Sequence, residues 1–395
     1  MNYIAYPGNI DIRRGGPSGY IANLEKGLNK INQKQDVSII SKRSNVSSQK
    51  SESLKKILFN SIVGKNNFMA SKFGEKKFIK YRDMVIKQQL KEITFTENDI
   101  VHLHSVLDYN KFSEYDLKSK LILTPHTPES ISDECVNLIK NNFNNMNLDL
   151  RGFKHKIKEL EKNAFEMCEY FIFPSKESME IYSTFIEDFE LIMKDKKIHY
   201  NLTGCQKLSH KLTREEFRKK HNIEKDAFVI SYIGRHNHIK GFDILKDVAK
   251  EVYKADKEIV FISGGTGDIK SESNNFIEFG WTDDPGSIVN ASDLFILPNR
   301  NTYFDLVLLE VLSIGIPVLA SNTGGNKTVA NMTNGIELFE NGDVAEVVEK
   351  VLGFKNDSNI LKEMGNSNSI CYNTHFTLEK FAERYSEILM NIKKV

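Results

Sequence analysis

The sequence is poor in the features that would mark a secreted or membrane-spanning chain. Of its 395 residues only four are cysteine, Cys135, Cys168, Cys205 and Cys371. They lie far apart with no paired spacing, which argues against a disulfide framework or a zinc cluster and predicts reduced, mostly buried thiols. No window reaches the roughly 18 uncharged apolar residues that a membrane span needs. The first residues, MNYIAYPGNIDIRR, carry no basic leader ahead of a long apolar stretch, so the expected location is cytoplasmic. Net charge is nearly absent: 54 Lys and Arg stand against 53 Asp and Glu, with 40% hydrophobic and 10% aromatic residues. That is ordinary globular composition at a length that suggests two or three domains.

The balance of charge conceals an asymmetry. Between Lys42 and Lys91 there are 13 Lys and Arg and only 3 Asp and Glu, a surplus of ten, so the rest of the chain is acidic. Apolar residues in the same segment, among them Leu54, Ile57, Leu58, Ile62, Val63, Phe68, Phe73 and Phe78, recur at roughly helical spacing. The pattern predicts amphipathic helices with a basic face. Such a face is either simply solvated or meets an anionic partner, a phospholipid surface or a polyanionic acceptor. Nucleic acid is not expected, because no recognised nucleic-acid module accompanies the charge.

Short apolar runs alternate with longer helical patterns, the signature of parallel sheets with crossover helices. Strands are predicted at Tyr3 to Tyr6, Val37 to Ser41, Ile100 to His104, Leu121 to Pro125 and Tyr170 to Pro174, then at Phe228 to Ile233, Ile259 to Ser263, Leu294 to Leu297 and Pro317 to Ser321. Helices fit Tyr20 to Leu28, Phe242 to Tyr253, Leu306 to Ser313, Val344 to Leu352 and Phe376 to Leu389. Between the halves, NLTGCQKLSHKL is followed by Thr213 and Glu216, spaced as a capping box that starts a new helix. The fold class is therefore α/β, with two doubly wound domains and ligand-binding residues expected just after strands.

Several post-strand loops carry suitable chemistry. RRGGPSG places Gly15, Gly16 and Gly19 ahead of a helix, where backbone N–H groups can approach an anion. It is not the G-x-G-x-x-G fingerprint, so a nicotinamide enzyme is not favoured. YIGRHNHIKGFDIL sets Arg235 and Lys240 between a strand and a helix, two cations suited to a diphosphate. PNRNTYFDLVLLEVLSIGIPVLASNTGG places Glu310 inside a helix, where a carboxylate can accept two ribose hydroxyls. His236 and His238 have a spacing that suggests a metal, but no third ligand is evident, and no D-x-D triplet occurs anywhere in the chain.

Taken in order, GGPSGYIANLEKGL, DIVHLHS, LILTPHT, EKNAFEMCEYFIFPSKE, FVISYIGRHNHIKGFDIL, FIEFGWTDD, ASDLFILPNR and FDLVLLEVLSIGIPVLASNTGG resemble a glycosyltransferase of family 4 over nearly the whole chain. The resemblance implies the GT-B architecture, two Rossmann-like domains facing each other across a deep cleft. It implies an acceptor-binding domain over 1–205, a nucleotide-sugar domain over 206–375, and a C-terminal helix, 376–395, that packs back on the first. It further implies that Gly15 and Gly16 lie near the donor phosphates, that Arg235, Lys240, Leu306 and Val307 hold the diphosphate, and that Glu310 holds the ribose. Gly280 and Trp281 would form the base-binding turn, and His126 would stand beside the transferred sugar.

One departure from the family pattern concerns the E-x7-E motif, whose first glutamate is Thr302 here, while the glycine three residues on is Asp305. Asp305 either supplies a carboxylate from a neighbouring position or caps the helix that follows. His126, Thr302 and Asp305 are thus the candidate catalytic positions. The implied activity is retaining transfer of a hexose-type sugar from a nucleoside diphosphate to a hydroxyl of a glycan or lipid-linked glycan. No cofactor or metal is expected, since Arg235, Lys240 and helix N-termini can neutralise the leaving diphosphate. The basic segment 42–91 suggests a peripheral position on the inner face of the cell membrane. The alternatives are a catalytically silent subunit of the same fold that binds a glycan or a partner transferase, and a different reaction such as nucleotide-sugar epimerisation.

Overall fold

The computed structural model describes residues 1–11, 16–41, 62–91, 93–115 and 117–394. Gly15 and residues 42–61 of the basic segment lie outside the described residues. The chain divides into two units, the first made of Met1–Phe173, Ile181–Asn201 and Ala382–Val395, the second of Pro174–Glu180 and Leu202–Phe381.

The first unit is built on a six-stranded, all-parallel sheet of β1 (Asn2–Tyr6), β2 (Val37–Ser41), β3 (Ile100–Leu103), β4 (Lys120–Leu123), β5 (Tyr170–Phe173) and β6 (Lys197–Tyr200), in the order β2-β1-β3-β4-β5-β6. All four residues of β3 and all four of β5, YFIF, are buried. Such unbroken runs belong to strands covered by helices on both faces.

The second unit repeats the plan with β7 (Phe228–Ile233), β8 (Ile259–Gly264), β9 (Phe276–Glu278), β10 (Leu294–Leu297), β11 (Val318–Ser321) and β12 (Ile336–Phe339), ordered β12-β11-β10-β7-β8-β9. Alternate residues of β10 feed opposite cores. Leu294 and Ile296 pack with Ile244, Leu245 and Val248 of helix Phe242–Ala255, whereas Phe295 and Leu297 pack with Leu308, Val311 and Leu312 of helix Leu306–Ser313. The expected capping box is present: Thr213 N–H donates to Glu216 Oε2 at 2.9 Å, and Glu216 N–H to Thr213 Oγ1 at 3.3 Å.

Strand order reverses between β1 and β3 in the first sheet, and between β7 and β10 in the second. Crevices at the carboxyl ends of strands flanking such a reversal are where ligands bind in open α/β sheets. In the second unit, the loops leading away from those strands are the ones that carry Arg235 and Lys240, after β7, and Thr302 and Asp305, after β10.

Candidate functional site

The loop after β7 is short because Gly241 closes it with a left-handed turn (φ +65°), and a Cβ there would meet the Pro298 carbonyl oxygen at 1.7 Å. No other residue type fits. This close approach brings the loops after β7 and β10 together. Arg300 locks them: its guanidinium holds both oxygens of Asp243, at 2.6 and 2.7 Å, and donates to the His238 carbonyl at 2.9 Å. His236, fully buried, stacks on Phe242 with centroids 3.7 Å apart and sets its Nδ1 3.3 Å from Glu278. His236 and His238 are thus engaged in separate places, and among the described residues no group of ligating side chains is placed to hold a metal ion.

The loop after β11 closes the site from the other side. Gly324 (φ +46°) lets it approach so near that a Cβ would lie 2.0 Å from the Thr302 carbonyl oxygen, and Gly325 N–H donates to the Tyr303 carbonyl at 3.1 Å.

Within this frame Asp305 stands at the N-cap position of helix Leu306–Ser313, but it does not cap the helix: its side chain accepts no bond from the first turn. Its oxygens are committed elsewhere. Lys240 Nζ donates to Oδ1 at 2.7 Å and Oδ2 at 2.9 Å, Thr302 Oγ1 to Oδ2 at 3.0 Å, and Asn299 Nδ2 to Oδ2 as well. Of the two sequence readings of Asp305, capping fails for this reason, and the carboxylate serves Lys240. Thr302 is 1% exposed, with its hydroxyl given to Asp305.

Because the cap side chain is turned away, the N–H groups of Leu306 and Val307 in the first turn are not taken by it. Helix N–H groups left in that way favour an anion. Arg235, exposed after β7, makes no hydrogen bond or ion pair with its guanidinium among the described residues. Glu310, on the second turn of the helix, has no cation or hydrogen-bond donor on its carboxylate among the described residues, and burial pushes its carboxyl up to about 7. A cation and an acceptor carboxylate without mates, together with an open helix start, suit the diphosphate and ribose of a nucleotide. Gly280 (φ +72°) turns the chain after β9, leaving Trp281 75% exposed. The backbone of that turn is tied to the loop just after β8 by a 2.7 Å bond from Gly265 N–H to the Gly280 carbonyl.

The first unit holds the remaining candidates. Gly16 (φ +51°) begins helix Gly16–Lys30 after β1. His126 follows β4, and its Nε2 lies 2.8 Å from Nδ1 of buried His104. Tyr20 packs edge-on to His126, with centroids 4.9 Å apart. Burial holds His126 down to about 3 and His104 well below its ordinary value, so both rings are neutral at physiological pH. His102 has a fixed tautomer. The Thr124 hydroxyl spends its proton on the Ile172 carbonyl at 2.7 Å, so His102 Nε2–H donates to it at 2.7 Å, and Nδ1 accepts from the Tyr385 hydroxyl at 3.0 Å. This network joins β3, β4, β5 and the C-terminal helix Leu378–Lys394, and its role is structural. Asn299, Arg300 and Asp243 escaped the sequence reading. The only available signal was their position at the ends of β10 and the start of helix Phe242–Ala255.

The fold is GT-B. Sucrose-phosphate synthase from Thermosynechococcus elongatus superposes with a TM-score of 0.69 over 99% of each chain at 14% identity. Anabaena HepE, solved in complex with UDP, gives 0.64 over 99% of this chain and 100% of that one, also at 14% identity. In sequence, N-acetyl-alpha-D-glucosaminyl L-malate synthase of Bacillus anthracis is 24% identical over 217 residues, 52% of this chain and 57% of that protein. The UDP-Gal:alpha-D-GlcNAc-diphosphoundecaprenol alpha-1,3-galactosyltransferase of Escherichia coli is 25% identical over 186 residues, 43% of this chain and 48% of that protein. The match therefore spans about half the length of these two relatives. Residues 227–357, which include Arg235, Lys240, Thr302, Asp305 and Glu310, match the family model of the glycosyl transferases group 1.

Proposed function

We propose that this chain is a retaining glycosyltransferase that moves a hexose-type sugar from a nucleoside diphosphate to a hydroxyl of a glycan or lipid-linked glycan. The observation that supports it most directly is the open start of helix Leu306–Ser313, with Arg235 on the neighbouring loop after β7 and Glu310 one turn along the helix both unmated among the described residues. In this reading Arg235 and the N–H groups of Leu306 and Val307 take the diphosphate, and Glu310 takes the ribose hydroxyls. Lys240, held in place by Asp305, turns its ammonium toward the charge that grows on the departing phosphate. The base lies at Gly280 and Trp281. Gly16 borders the phosphates, and His126, neutral and fixed by His104, gives the transferred sugar a hydrogen-bonding group rather than a proton. Departure of the diphosphate and attack of the acceptor occur on the same face of the sugar, with the leaving phosphate assisting deprotonation of the acceptor hydroxyl. No metal enters this scheme. The activities named for relatives support the choice of acceptor, since one acts on a diphosphoundecaprenol-linked sugar and others belong to O-antigen biosynthesis.

The test is nucleoside-diphosphate release from a panel of UDP-, GDP- and ADP-sugars, with and without lipid-linked acceptors. Release from one donor, lost in Arg235→Ala and in Glu310→Ala, supports the reading and names the donor. The burial of Thr302 at the position where the family has a glutamate favours a second reading, a silent subunit that binds nucleotide or glycan without transfer. Donor binding without release in any acceptor mixture would select it.

A further inference from the structure

Residues 67–90 form one continuous helical run, helix Asn67–Glu75, a π-helical turn Lys76–Lys80 and helix Tyr81–Leu90. One side of the run is bolted to the first unit. Ala70, Val85 and Ile86 are buried, Phe73 meets Phe143 edge-on at 5.0 Å, and Arg82 forms a 2.6 Å ion pair with buried Asp108. That leaves the other side facing outward with a fixed orientation. It carries Phe68, 69% exposed, Met69 at 40% and Met84 at 56%, which flank exposed Lys76, Lys77 and Lys80.

The spacing keeps these groups together. Steps of four residues drift around an α-helix with 3.6 residues per turn, and the wider π turn at Lys76–Lys80 takes back part of the drift. Carboxylates of the run do not neutralise this charge either. Glu75 and Asp83 are committed, to Lys72 at 3.1 Å and to Lys87 at 2.8 Å, whereas Lys76, Lys77 and Lys80 have no carboxylate mate among the described residues; Lys77 rests over the rings of Phe78 and Phe73, 5.2 and 5.8 Å from their centroids.

We infer that this face docks on an anionic phospholipid bilayer. Unpaired lysines alone would suit any polyanion. The three large apolar side chains on either side of them decide the matter, because a hydrated acidic polymer gives them nothing to bury against, whereas the interfacial zone of a bilayer does. No helix among the described residues is long and apolar enough to cross a membrane, so the contact is interfacial. The inference is independent of the transferase reading, since none of these residues belongs to the nucleotide site.

The experiment is flotation of the full chain with vesicles of phosphatidylcholine alone and of phosphatidylcholine and phosphatidylglycerol in equal parts. Binding is expected only to the second. Each lysine contributes roughly fivefold in partition, equivalent to about 1 kcal/mol, so Lys76→Glu, Lys77→Glu and Lys80→Glu together should weaken it on the order of a hundredfold or more. A second variant, Phe68→Ser with Met69→Ser, should weaken it with the charge unchanged. Unaltered thermal midpoints show that both variants are folded. Equal binding to neutral vesicles, or binding that survives the lysine reversal, overturns the proposal. Failure to float with either vesicle while a soluble polyanion still retains the protein overturns it too, and reassigns the face to an acidic polymer.

Discussion

Glu310 shows how one side chain can report on the site before any substrate is known. Burial pushes its carboxyl up from 4.5 to about 7 in the folded chain. A folded value above the unfolded one means that the contribution of this group to stability is complete below 4.5 and is lost as pH rises through about 7. Glu310→Gln, which mimics the neutral acid, should therefore stabilise the free protein above about pH 7 and leave it unchanged below 4.5, as thermal melts at the two extremes would show. Ribose hydroxyls need the opposite form, the carboxylate. UDP affinity of the wild type should then climb through pH 7 more steeply than that of Glu310→Gln, and parallel titration curves would remove Glu310 from the site. Thr302 gives the companion test. It is 1% exposed and shares a hydrogen bond with Asp305, so Thr302→Glu would force a second carboxylate into a closed space rather than recreate a motif. The expected loss exceeds about 3 kcal/mol, against about 1 kcal/mol for Thr302→Val, measured by denaturant unfolding. Equal losses would mean that the loop opens to admit the new side chain.

Elements are tied to one another by a few polar groups as well as by their cores. The Tyr385 hydroxyl reaches His102 on β3, and His102 in turn reaches Thr124 beyond β4. Tyr385→Phe leaves the buried Nδ1 lone pair unmet and should cost about 1–3 kcal/mol, visible as a lower denaturant midpoint at constant slope. An unchanged midpoint would show that the hydroxyl contributes nothing to docking the C-terminal helix. What was legible in the sequence follows from the same physics. YFIF and LFIL stand out as strands because both faces are covered. KIHY at β6, FIE at β9 and IELF at β12 escaped detection. The first two are edge strands with no fully buried residue, and the third, an edge as well, is buried only at its ends. Arg235, Lys240 and Glu310 stand out in the sequence as candidates because each holds a fixed place beside a strand or within a helix. The Lys240–Asp305 pair, by contrast, spans 65 residues, and no local pattern announces that a helix-cap position will serve a lysine on another loop.

At the scale of the whole molecule, two sheets of similar plan carry different chemistry. The second unit holds the unmated cation and carboxylate beside its strand reversal, while the first holds neutral histidines and the basic helical run. Each unit has a parallel sheet of its own, so a nucleotide held chiefly by the second should protect chiefly that one, and slowing in the first should stay at the start of helix Gly16–Lys30. UDP at a hundredfold excess over its dissociation constant would add about 2.7 kcal/mol to whatever opening it opposes. Hydrogen exchange measured with and without UDP should accordingly slow in the loops after β7 and β10, in the first turns of helix Leu306–Ser313 and around Gly280. Amides of β3, β4 and β5 should exchange at unchanged rates. Slowing of those three strands to the same degree would mean that the nucleotide stabilises the chain as one cooperative body, and the division of labour between the units would have to be given up.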